Sequence, residues 1–378
     1  MRQSRDKQES IKSVLAELVA IPSTYPDEAA VGSYVAQYLE KLGFYIQLIP
    51  TSEGRNNIIA TYGAADKYLA FYGHLDTVEP DAHYEKDPHT IWTEGDKAHG
   101  LGAADMKGGI CAMLHFAQYA VQTKKPVKLV FGVDEEAISE GAHDLVDSEL
   151  LESVDFLISA ESGQSEGINQ DYSVCYGRRG RIGLEIEVFG RKKHAAENTK
   201  AINAVEHAAT LITHFPKINF KQNAHFGKTV FVVHSISGDT DSFSVPDNCV
   251  ITLSALTAPN TSHDEVIRKL QKLAAELDVD AEIRPLERKT PYAESYEVQT
   301  SDFLKTVETK LFKPNNISIS YSDSVADENI FATRLNIPVI SMGPIGGGDH
   351  TVNEWVSLAS IDKLIDGYAA VLDLYATV

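Results

Sequence analysis

Short apolar runs that alternate with segments of helical periodicity constrain the fold of this chain more than any other feature. The runs YLAFYGH, VKLVFGV and VDFLISAES are apolar over most of their length, which is typical of strands buried inside a sheet. The segments EAAVGSYVAQYLEKLG and GGICAMLHFAQYAVQ carry apolar residues at helical spacing instead. This alternation of strands and helices predicts an α/β domain.

The pattern changes after Cys175 and returns to its first form from about Tyr292. The segment between them reads as strand, helix, strand and helix, and its first strand, RIGLEIEVFG, alternates as a half-exposed strand does. That order is typical of a small α+β unit with a one-sided sheet. We therefore predict an α/β domain built from residues 1–177 and 289–378, interrupted by an inserted α+β domain at residues 178–288.

Composition and charge exclude several classes of function. A formal net charge of −20, without a stripe of Lys and Arg, argues against nucleic-acid binding. No apolar run approaches the roughly 20 residues of a membrane helix, and the start MRQSRDKQES lacks the apolar core of a signal peptide. We expect a cytoplasmic protein that binds neither membrane nor nucleic acid. The three cysteines form no C-x-x-C pair and predict neither a disulfide framework nor a thiolate zinc site.

Polar residues follow the apolar runs or glycine-rich turns at five places. In open α/β sheets functional groups gather beyond the carboxyl ends of the strands, so these residues are candidates for one site. They are His74 with Asp76, Asp105, Glu135 with Glu136, Glu161, and His350. Each has a structural explanation when taken alone, such as a capping histidine or an acidic helix start. Two imidazoles with several carboxylates and no thiolate, however, are a ligand set for a pair of divalent ions, of which zinc is the commonest.

Five motifs in a fixed order carry a resemblance to a known family. They are H-x-D-x-V at residues 74–78, G-x-G-A-x-D-M-K-G at 100–108, D-E-E at 134–136, a glutamate at 161, and H-T-x-N-E at 350–354. With these motifs the chain resembles the dinuclear zinc amidohydrolases of peptidase family M20, the group of succinyl-diaminopimelate desuccinylase, acetylornithine deacetylase, aminoacylase-1 and glutamate carboxypeptidase. The resemblance covers essentially the whole chain. It implies a zinc-peptidase-like α/β/α catalytic domain whose insertion is a lid and dimerisation domain.

The resemblance implies a role in metal binding for five side chains. It predicts two Zn²⁺ ions per chain, with Co²⁺ or Mn²⁺ as alternatives. Asp105 would bridge both ions through its two carboxylate oxygens. His74 and Glu161 would complete the ligands of one ion, and Glu136 and His350 those of the other. A cis peptide bond directly after Asp105 is also expected.

Two further carboxylates have implied roles in catalysis. Asp76 would accept the other N–H of the His74 imidazole and so fix the tautomer that offers a lone pair to the metal. Glu135 would be the general base as a hydroxide held by the two ions attacks the scissile amide, and would pass the proton to the leaving amine. Because relatives with Glu at the position of Glu161 are deacylases and carboxypeptidases, we expect an N-acyl amino acid deacylase. A carboxypeptidase or dipeptidase, or a catalytically silent metal-binding relative, are the alternatives.

The inserted domain carries a histidine with an implied catalytic role. His194 lies in FGRKKHAAEN, where the family has a histidine that reaches the partner subunit's site and stabilises the oxyanion. A homodimer follows from this role. Lys193 replaces the glycine that usually precedes this histidine, and a surface residue of a basic turn is the alternative interpretation of His194.

The residues expected to recognise substrate depart from the family pattern. Phe243 stands where the family usually has Asn, and Leu256 stands where an Arg would bind a substrate carboxylate. Arg178 or Arg179 is a candidate replacement, although a structural arginine at a domain hinge explains either residue equally well. Asn353 is another candidate for substrate binding. The expected substrate is a small N-acyl amino acid or a short peptide.

Overall fold

The computed structural model describes residues 2–164, 170–240 and 243–377. Its α-helices are α1 (Arg2–Val19), α2 (Ala29–Lys41), α3 (Gly108–Thr123), α4 (Glu140–Asp147), α5 (Ala204–His214), α6 (His263–Glu276), α7 (Asp302–Val307), α8 (Asp327–Arg334) and α9 (Leu358–Tyr375). Its strands are β1 (Tyr45–Pro50), β2 (Asn56–Tyr62), β3 (Tyr68–His74), β4 (Trp92–Glu94), β5 (Lys97–His99), β6 (Val127–Gly132), β7 (Val154–Ser159), β8 (Gly163–Gln164), β9 (Ser173–Arg178), β10 (Gly180–Phe189), β11 (Val230–Ser237), β12 (Asn248–Thr257), β13 (Ala281–Pro285), β14 (Tyr296–Glu297), β15 (Ile319–Ser322), β16 (Val339–Gly343), β17 (Ile345–Gly347) and β18 (Trp355–Ser357). Within these ranges, none of the helices has the length and apolar character needed to span a bilayer.

The chain divides into two compact units. Unit 1 consists of Met1–Gly177, Val298–Ser320 and Ala326–Val378, and unit 2 consists of Arg178–Glu297 and Tyr321–Val325. The inserted segment thus begins after residue 177 and ends after residue 297, whereas the sequence pattern predicted an end after residue 288.

Hydrogen bonds account for the later end of the insertion. The peptide N–H of Arg181, in β10, donates to the carbonyl of Ala293 at 3.0 Å. The peptide N–H of His263, at the start of α6, donates to the Glu294 carboxylate at 3.1 Å. Residues 293 and 294 are thus held by β10 and α6 of the inserted unit, which as a compact unit extends to residue 297.

Four parallel strands form the centre of the main sheet in unit 1. They stand in the order β6, β3, β7, β16. Strands β2 and β1 extend the sheet antiparallel on one side, and β9 extends it antiparallel on the other. Because parallel neighbours run in the same direction, the carboxyl ends of the four central strands lie at the same edge of the sheet.

Helices cover both faces of this sheet. Successive residues of a strand point to opposite faces. On β3, the Phe71 ring lies 4.6 Å from the rings of both Phe116, in α3, and Tyr368, in α9. The next residue, Tyr72, has its ring 4.7 Å from Phe331, in α8. The predicted α/β/α arrangement is confirmed, and it explains why β3 is apolar up to His74 at its carboxyl end.

Unit 2 contains a one-sided antiparallel sheet. Its strands stand in the order β11, β12, β10, β13. Apolar side chains of β10 and β12 form a core with those of α5 and α6, including Leu184, Leu253, Leu211 and Leu270. The alternation in RIGLEIEVFG reflects this burial, because every second side chain of β10 faces that core.

Candidate active site

The carboxyl ends of the central strands bring the predicted polar residues together. Strand β3 ends at His74, and the D-E-E segment begins two residues after the end of β6. Glu161 lies two residues beyond β7, and His350 lies in the turn that follows β16 and β17. Asp105 comes from the turn before α3, where the Asp105–Met106 peptide bond is cis, as expected.

The Asp105 carboxylate lies between two imidazoles. Its Oδ1 atom is 2.9 Å from Nε2 of His74, and its Oδ2 atom is 3.2 Å from Nε2 of His350. Each imidazole also faces a second carboxylate: His74 Nε2 is 3.4 Å from Glu161 Oε1, and His350 Nε2 is 3.0 Å from Glu136 Oε1. The five side chains thus form two groups of three that share Asp105.

These groups fit divalent ions. Ligand atoms of His74, Asp105 and Glu136, a set that spans the two groups, all lie within 4.8 Å of one another. At Zn–N and Zn–O bond lengths of about 2.0–2.2 Å, the ligands of a tetrahedral ion lie roughly 3.3–3.6 Å apart. The separations between neighbouring imidazole nitrogens and carboxylate oxygens are 2.9–3.4 Å, so three of the four contacts would have to lengthen by a few tenths of an ångström around an ion. Nitrogen and oxygen donors are also the set that zinc, cobalt and manganese share.

The side chains of the cluster shift one another's pKa values strongly. Burial opposes ionisation of Asp105, but hydrogen bonds from His350 and His74 outweigh it and hold the pKa of Asp105 well below its usual range. Hydrogen bonds to Asp105 and Glu136 raise the pKa of His350 to about 10. Burial, with the negative charge of Asp105, raises the pKa of Glu161 to about 7. Carboxylates packed this closely need positive charge between them, which a divalent ion supplies.

Asp76 contacts one residue of each group of three. Nδ1 of His74 lies 3.1 Å from the Asp76 carbonyl oxygen and 3.4 Å from its Oδ1 atom. The Asp76 Oδ2 atom accepts the peptide N–H of Glu136 at 2.9 Å. A proton on Nδ1 directed at Asp76 leaves the Nε2 lone pair facing Asp105. The H-x-D motif predicted the contact between the His74 imidazole and the Asp76 carboxylate, but not the one between the imidazole and the Asp76 backbone carbonyl.

Glu135 and Glu136 point into different surroundings. Glu136 reaches His350, whereas burial raises the pKa of Glu135 well above its usual value. The positive charge of His74 opposes this rise, and the negative charge of Asp327 adds to it. A half-buried carboxylate of raised pKa beside the cluster has the chemistry of a proton acceptor and donor.

Sequence reasoning missed two buried carboxylates near the site. Asp327 is fully buried at the start of α8 and accepts a hydrogen bond from the Tyr72 hydroxyl. Glu354 is 2% exposed, and its carboxylate accepts peptide N–H groups from the turn that carries Asp105. Glu354 is the last position of the H-T-x-N-E motif, so a signal existed for it. Asp327, in SVADENIF, looks like an ordinary acidic helix start.

The candidate residues of unit 2 have contacts within that unit. His194 is exposed, and its Nδ1 atom accepts the peptide N–H of Ala196 at 3.2 Å. Its ring meets that of Phe243 edge-on at 5.7 Å, and Phe243 is 79% exposed. Leu256 is half-buried on β12.

The two arginines at the start of unit 2 are nearly buried. Arg178 donates to the Ser324 hydroxyl at 2.7 Å, and Arg179 donates to Asp323 at 2.6 Å. Each contact lies inside unit 2, as expected of structural arginines. Asn353, in unit 1, is exposed, and its peptide N–H donates to the Thr351 hydroxyl at 3.3 Å.

Comparison with known families decides the classification. The family model described as peptidase family M20/M25/M40 matches residues 70–374 of this chain. The chain belongs to this family. M20/M25/M40 enzymes are metal-dependent, and the chain is accordingly a metal-dependent amidohydrolase that carries the family's motifs on the strand ends described above.

Similar proteins of the family match along nearly their whole length. A succinyl-diaminopimelate desuccinylase of Bordetella pertussis is 28% identical over 380 residues, which cover 96% of this chain and 97% of that protein. The solved structure of aminopeptidase PepT from Bacillus cereus is 19% identical, with a TM-score of 0.81 and coverage of 98% and 99%. The structure of Bacillus subtilis YXEP, a dinuclear metal-binding M20 peptidase, is 15% identical, with a TM-score of 0.71 and coverage of 98% and 99%. These structures establish the shared fold.

Proposed function

We propose that this enzyme is a dinuclear metal-dependent deacylase that cleaves the amide bond of N-acyl amino acids. The observation that carries the proposal is the position of Asp105, whose two oxygens face two separate pairs of imidazole and carboxylate. A single ion would need only one such group. A carboxylate shared between two groups is the usual centre of a two-metal hydrolase.

We assign the ligands by their contacts. His74 and Glu161 would bind one ion with Asp105, and Glu136 and His350 would bind the other. Zinc is the expected metal, with cobalt or manganese as substitutes. Divalent ions at such sites acidify a bound water and polarise the scissile carbonyl.

The remaining roles belong to the side chains around the ligands. Glu135 is the proposed general base: it takes a proton from the attacking water and delivers it to the nitrogen of the leaving amine. Asp76 orients the imidazole of His74 and the backbone of Glu136 through the contacts described above. His194 is proposed to donate to the oxyanion in the site of the partner subunit, which requires a homodimer.

The choice of substrate rests on the relatives. The desuccinylase match favours an N-acyl amino acid, such as a succinyl or acetyl derivative of the kind used by desuccinylases and acetylornithine deacetylase. The peptidase structures favour the second candidate, a carboxypeptidase or dipeptidase. Phe243 and Leu256, in place of the family's Asn and Arg, suggest that the substrate carboxylate is held differently from the usual pattern. A cytoplasmic location remains a prediction of the sequence.

A substrate screen tests the proposal. The purified chain, loaded with Zn²⁺ or Co²⁺, would be assayed against acetyl and succinyl amino acids and against dipeptides, with the protein stripped of metal by a chelator as the control. We expect the highest kcat/KM for an acyl amino acid. Faster cleavage of dipeptides would select the peptidase alternative, and no cleavage by the metal-loaded protein would indicate a silent relative.

A further inference from the structure

Glu354 accepts three peptide N–H groups from a single turn. Its Oε2 atom accepts the N–H of Gly102 at 2.8 Å. Its Oε1 atom accepts the N–H groups of Ala104 and Asp105 at 2.8 and 3.0 Å. The carboxylate is buried, so all three hydrogen bonds form away from bulk water.

The turn has a shape that regular helix cannot provide. Gly102 has φ +72°, and a Cβ atom there would lie 2.5 Å from the Thr77 side chain. Asp105 itself has φ −114° and ψ 91°, outside the helical region, although α3 begins three residues later. Amide groups that precede a helix lack intrahelical acceptors and must be satisfied by other groups. Glu354 is the acceptor for the amides of Gly102, Ala104 and Asp105, whereas those of Ala103 and Lys107 donate to backbone carbonyls.

The same carboxylate belongs to the segment that carries His350. Glu354 lies four residues after His350, and its own peptide N–H donates to the Thr351 carbonyl at 3.2 Å. The residues that follow form β18, which pairs with β5 and β17 and so anchors the segment. Glu354 therefore ties the turn of Asp105 to the loop of His350, and these are the two side chains that meet at 3.2 Å in the cluster.

We propose that Glu354 is a positioning residue of the metal centre, which fixes the Asp105 turn against the His350 loop before any ion binds. The inference rests on the proposed bridging role of Asp105. If the turn were free to move, Asp105 would have to be ordered during metal binding, and that cost would lower the affinity for both ions. With Glu354 in place the ordering is completed on folding, which is the physical basis of preorganisation.

Replacing Glu354 with glutamine keeps the size of the side chain and changes only its hydrogen-bonding groups. Its amide has the size of the carboxylate but only one acceptor oxygen, so an NH₂ group must face at least one peptide N–H of the turn. At least one of the three hydrogen bonds is lost and replaced by a contact between two donors. Glu354→Gln should therefore loosen the turn without leaving a cavity.

Metal titration tests the role of Glu354. Zn²⁺ binding would be followed in competition with a chromophoric chelator, and Co²⁺ binding by its visible absorption spectrum, which reports ligand geometry. We expect Glu354→Gln to weaken binding of both ions by about 10- to 100-fold and to alter the cobalt spectrum. Val371→Ala, which trims a buried side chain of α9, is the control for general destabilisation and should bind both ions as the wild type does.

The outcomes separate this inference from the proposed function. Unchanged zinc affinity and an unchanged cobalt spectrum in folded Glu354→Gln would overturn the positioning role. If the wild type fails to bind two ions, or Asp105→Ala still binds two, the assignment of the metal ligands itself is wrong. Should Glu354→Gln not fold, Glu354→Asp would be measured instead, because it keeps the charge but cannot reach all three amides; wild-type affinity there would equally reject the proposal.

Discussion

At the scale of single residues, the surroundings of a carboxylate decide what it can do. Glu136 lies against a histidine and is suited to bind metal, whereas its neighbour Glu135 is shifted by burial toward the protonated form. The two residues follow each other in the turn after β6, where their side chains meet different neighbours. The D-E-E segment can therefore supply a ligand and a general base from adjacent positions.

Replacement of Glu135 tests the second of these roles. Glu135→Gln keeps the size of the side chain but cannot accept a proton, so we expect turnover to fall by about 10²-fold or more while both ions stay bound. Steady-state kinetics with metal analysis of the same sample would measure this. Glu152→Gln, on an exposed residue before β7, should match the wild type. Near-normal turnover with full metal content would remove Glu135 from the mechanism.

Asp327 gives the stability of the metal-free chain a specific dependence on pH. Burial raises its pKa to about 7, although hydrogen bonds from Tyr72 and Ser139 oppose the rise. Its pKa is thus higher in the folded chain than in the unfolded chain, where it is about 4. Protonated Asp327 therefore contributes fully to the free energy of unfolding below the pKa of the unfolded chain. This contribution is lost as the pH rises through the pKa of the folded chain.

Asp327→Asn should remove that dependence. Between pH 5 and pH 8 we expect the free energy of unfolding of the metal-free wild type to fall by roughly 2 kcal/mol more than that of the variant, since each pKa unit corresponds to about 1.36 kcal/mol. Urea unfolding in the presence of a chelator, at several pH values, would measure both proteins. Parallel pH profiles would show that Asp327 does not titrate in this range.

At the scale of secondary structure, glycines allow elements to approach the site closely. A Cβ atom on Gly109, in the first turn of α3, would lie 2.2 Å from the Ala160 carbonyl oxygen. A Cβ atom on Gly343, at the end of β16, would lie 1.9 Å from the Glu161 carbonyl oxygen. Both contacts are with the segment that follows β7. Helix α3 and strand β16 thus hold the Glu161 loop directly by backbone contact.

Alanine substitutions at two helical glycines test this contact. In Gly109→Ala the new methyl group must displace the backbone before Glu161, so we expect a loss of about 1–3 kcal/mol in stability and weaker metal binding. Gly32→Ala on α2 is the matched control, because its Cβ atom would lie 3.5 Å from its nearest neighbours. It should leave metal binding unchanged and stabilise the chain by about 0.4–1 kcal/mol. Thermal unfolding and metal titration of both variants would check these expectations, and equal behaviour would contradict them.

At the scale of the whole molecule, the proposed role of His194 requires two subunits. The residue lies on unit 2, whereas the cluster around Asp105 lies in unit 1. If His194 donates to the oxyanion in the partner's site, each active site takes residues from two chains. Loss of such a donor typically costs about 10²- to 10³-fold in turnover.

Mixed dimers test the sharing of sites. His194→Ala should lower turnover by that factor with both ions retained, and Lys192→Ala, in the same exposed turn, should not. Combining His194→Ala with Glu135→Gln should restore part of the activity, because one site of each hybrid has an intact base and an intact partner histidine. Kinetics on hybrids verified by differential tagging would measure the recovery. No recovery, or full activity of His194→Ala alone, would leave His194 as a surface residue.

The sequence predicted the α/β fold because buried strands and amphipathic helices have distinct periodicities. It also indicated His74, Asp105 and His350 as candidates, because polar residues at strand ends stand out against apolar runs. The compact inserted unit extends to residue 297, nine residues past the predicted 288, and no periodic pattern marks this stretch, in which residues 293 and 294 are held by hydrogen bonds to β10 and α6. Asp327 was missed because an acidic helix start carries no sign of its burial.

The order of apolar strands and helices, together with the identity of the residues at their ends, was determined by the sequence alone, because both depend on local pattern. Only the tertiary structure decided which carboxylates meet which imidazoles, since residues as distant as Asp105 and His350 become neighbours through the order of strands in the sheet. It also decided the contacts of Glu354, whose partners lie about 250 positions earlier in the chain. Burial and hydrogen bonding, which distinguish a metal ligand from a surface acid, are properties of the folded chain and have no counterpart in a short stretch of sequence.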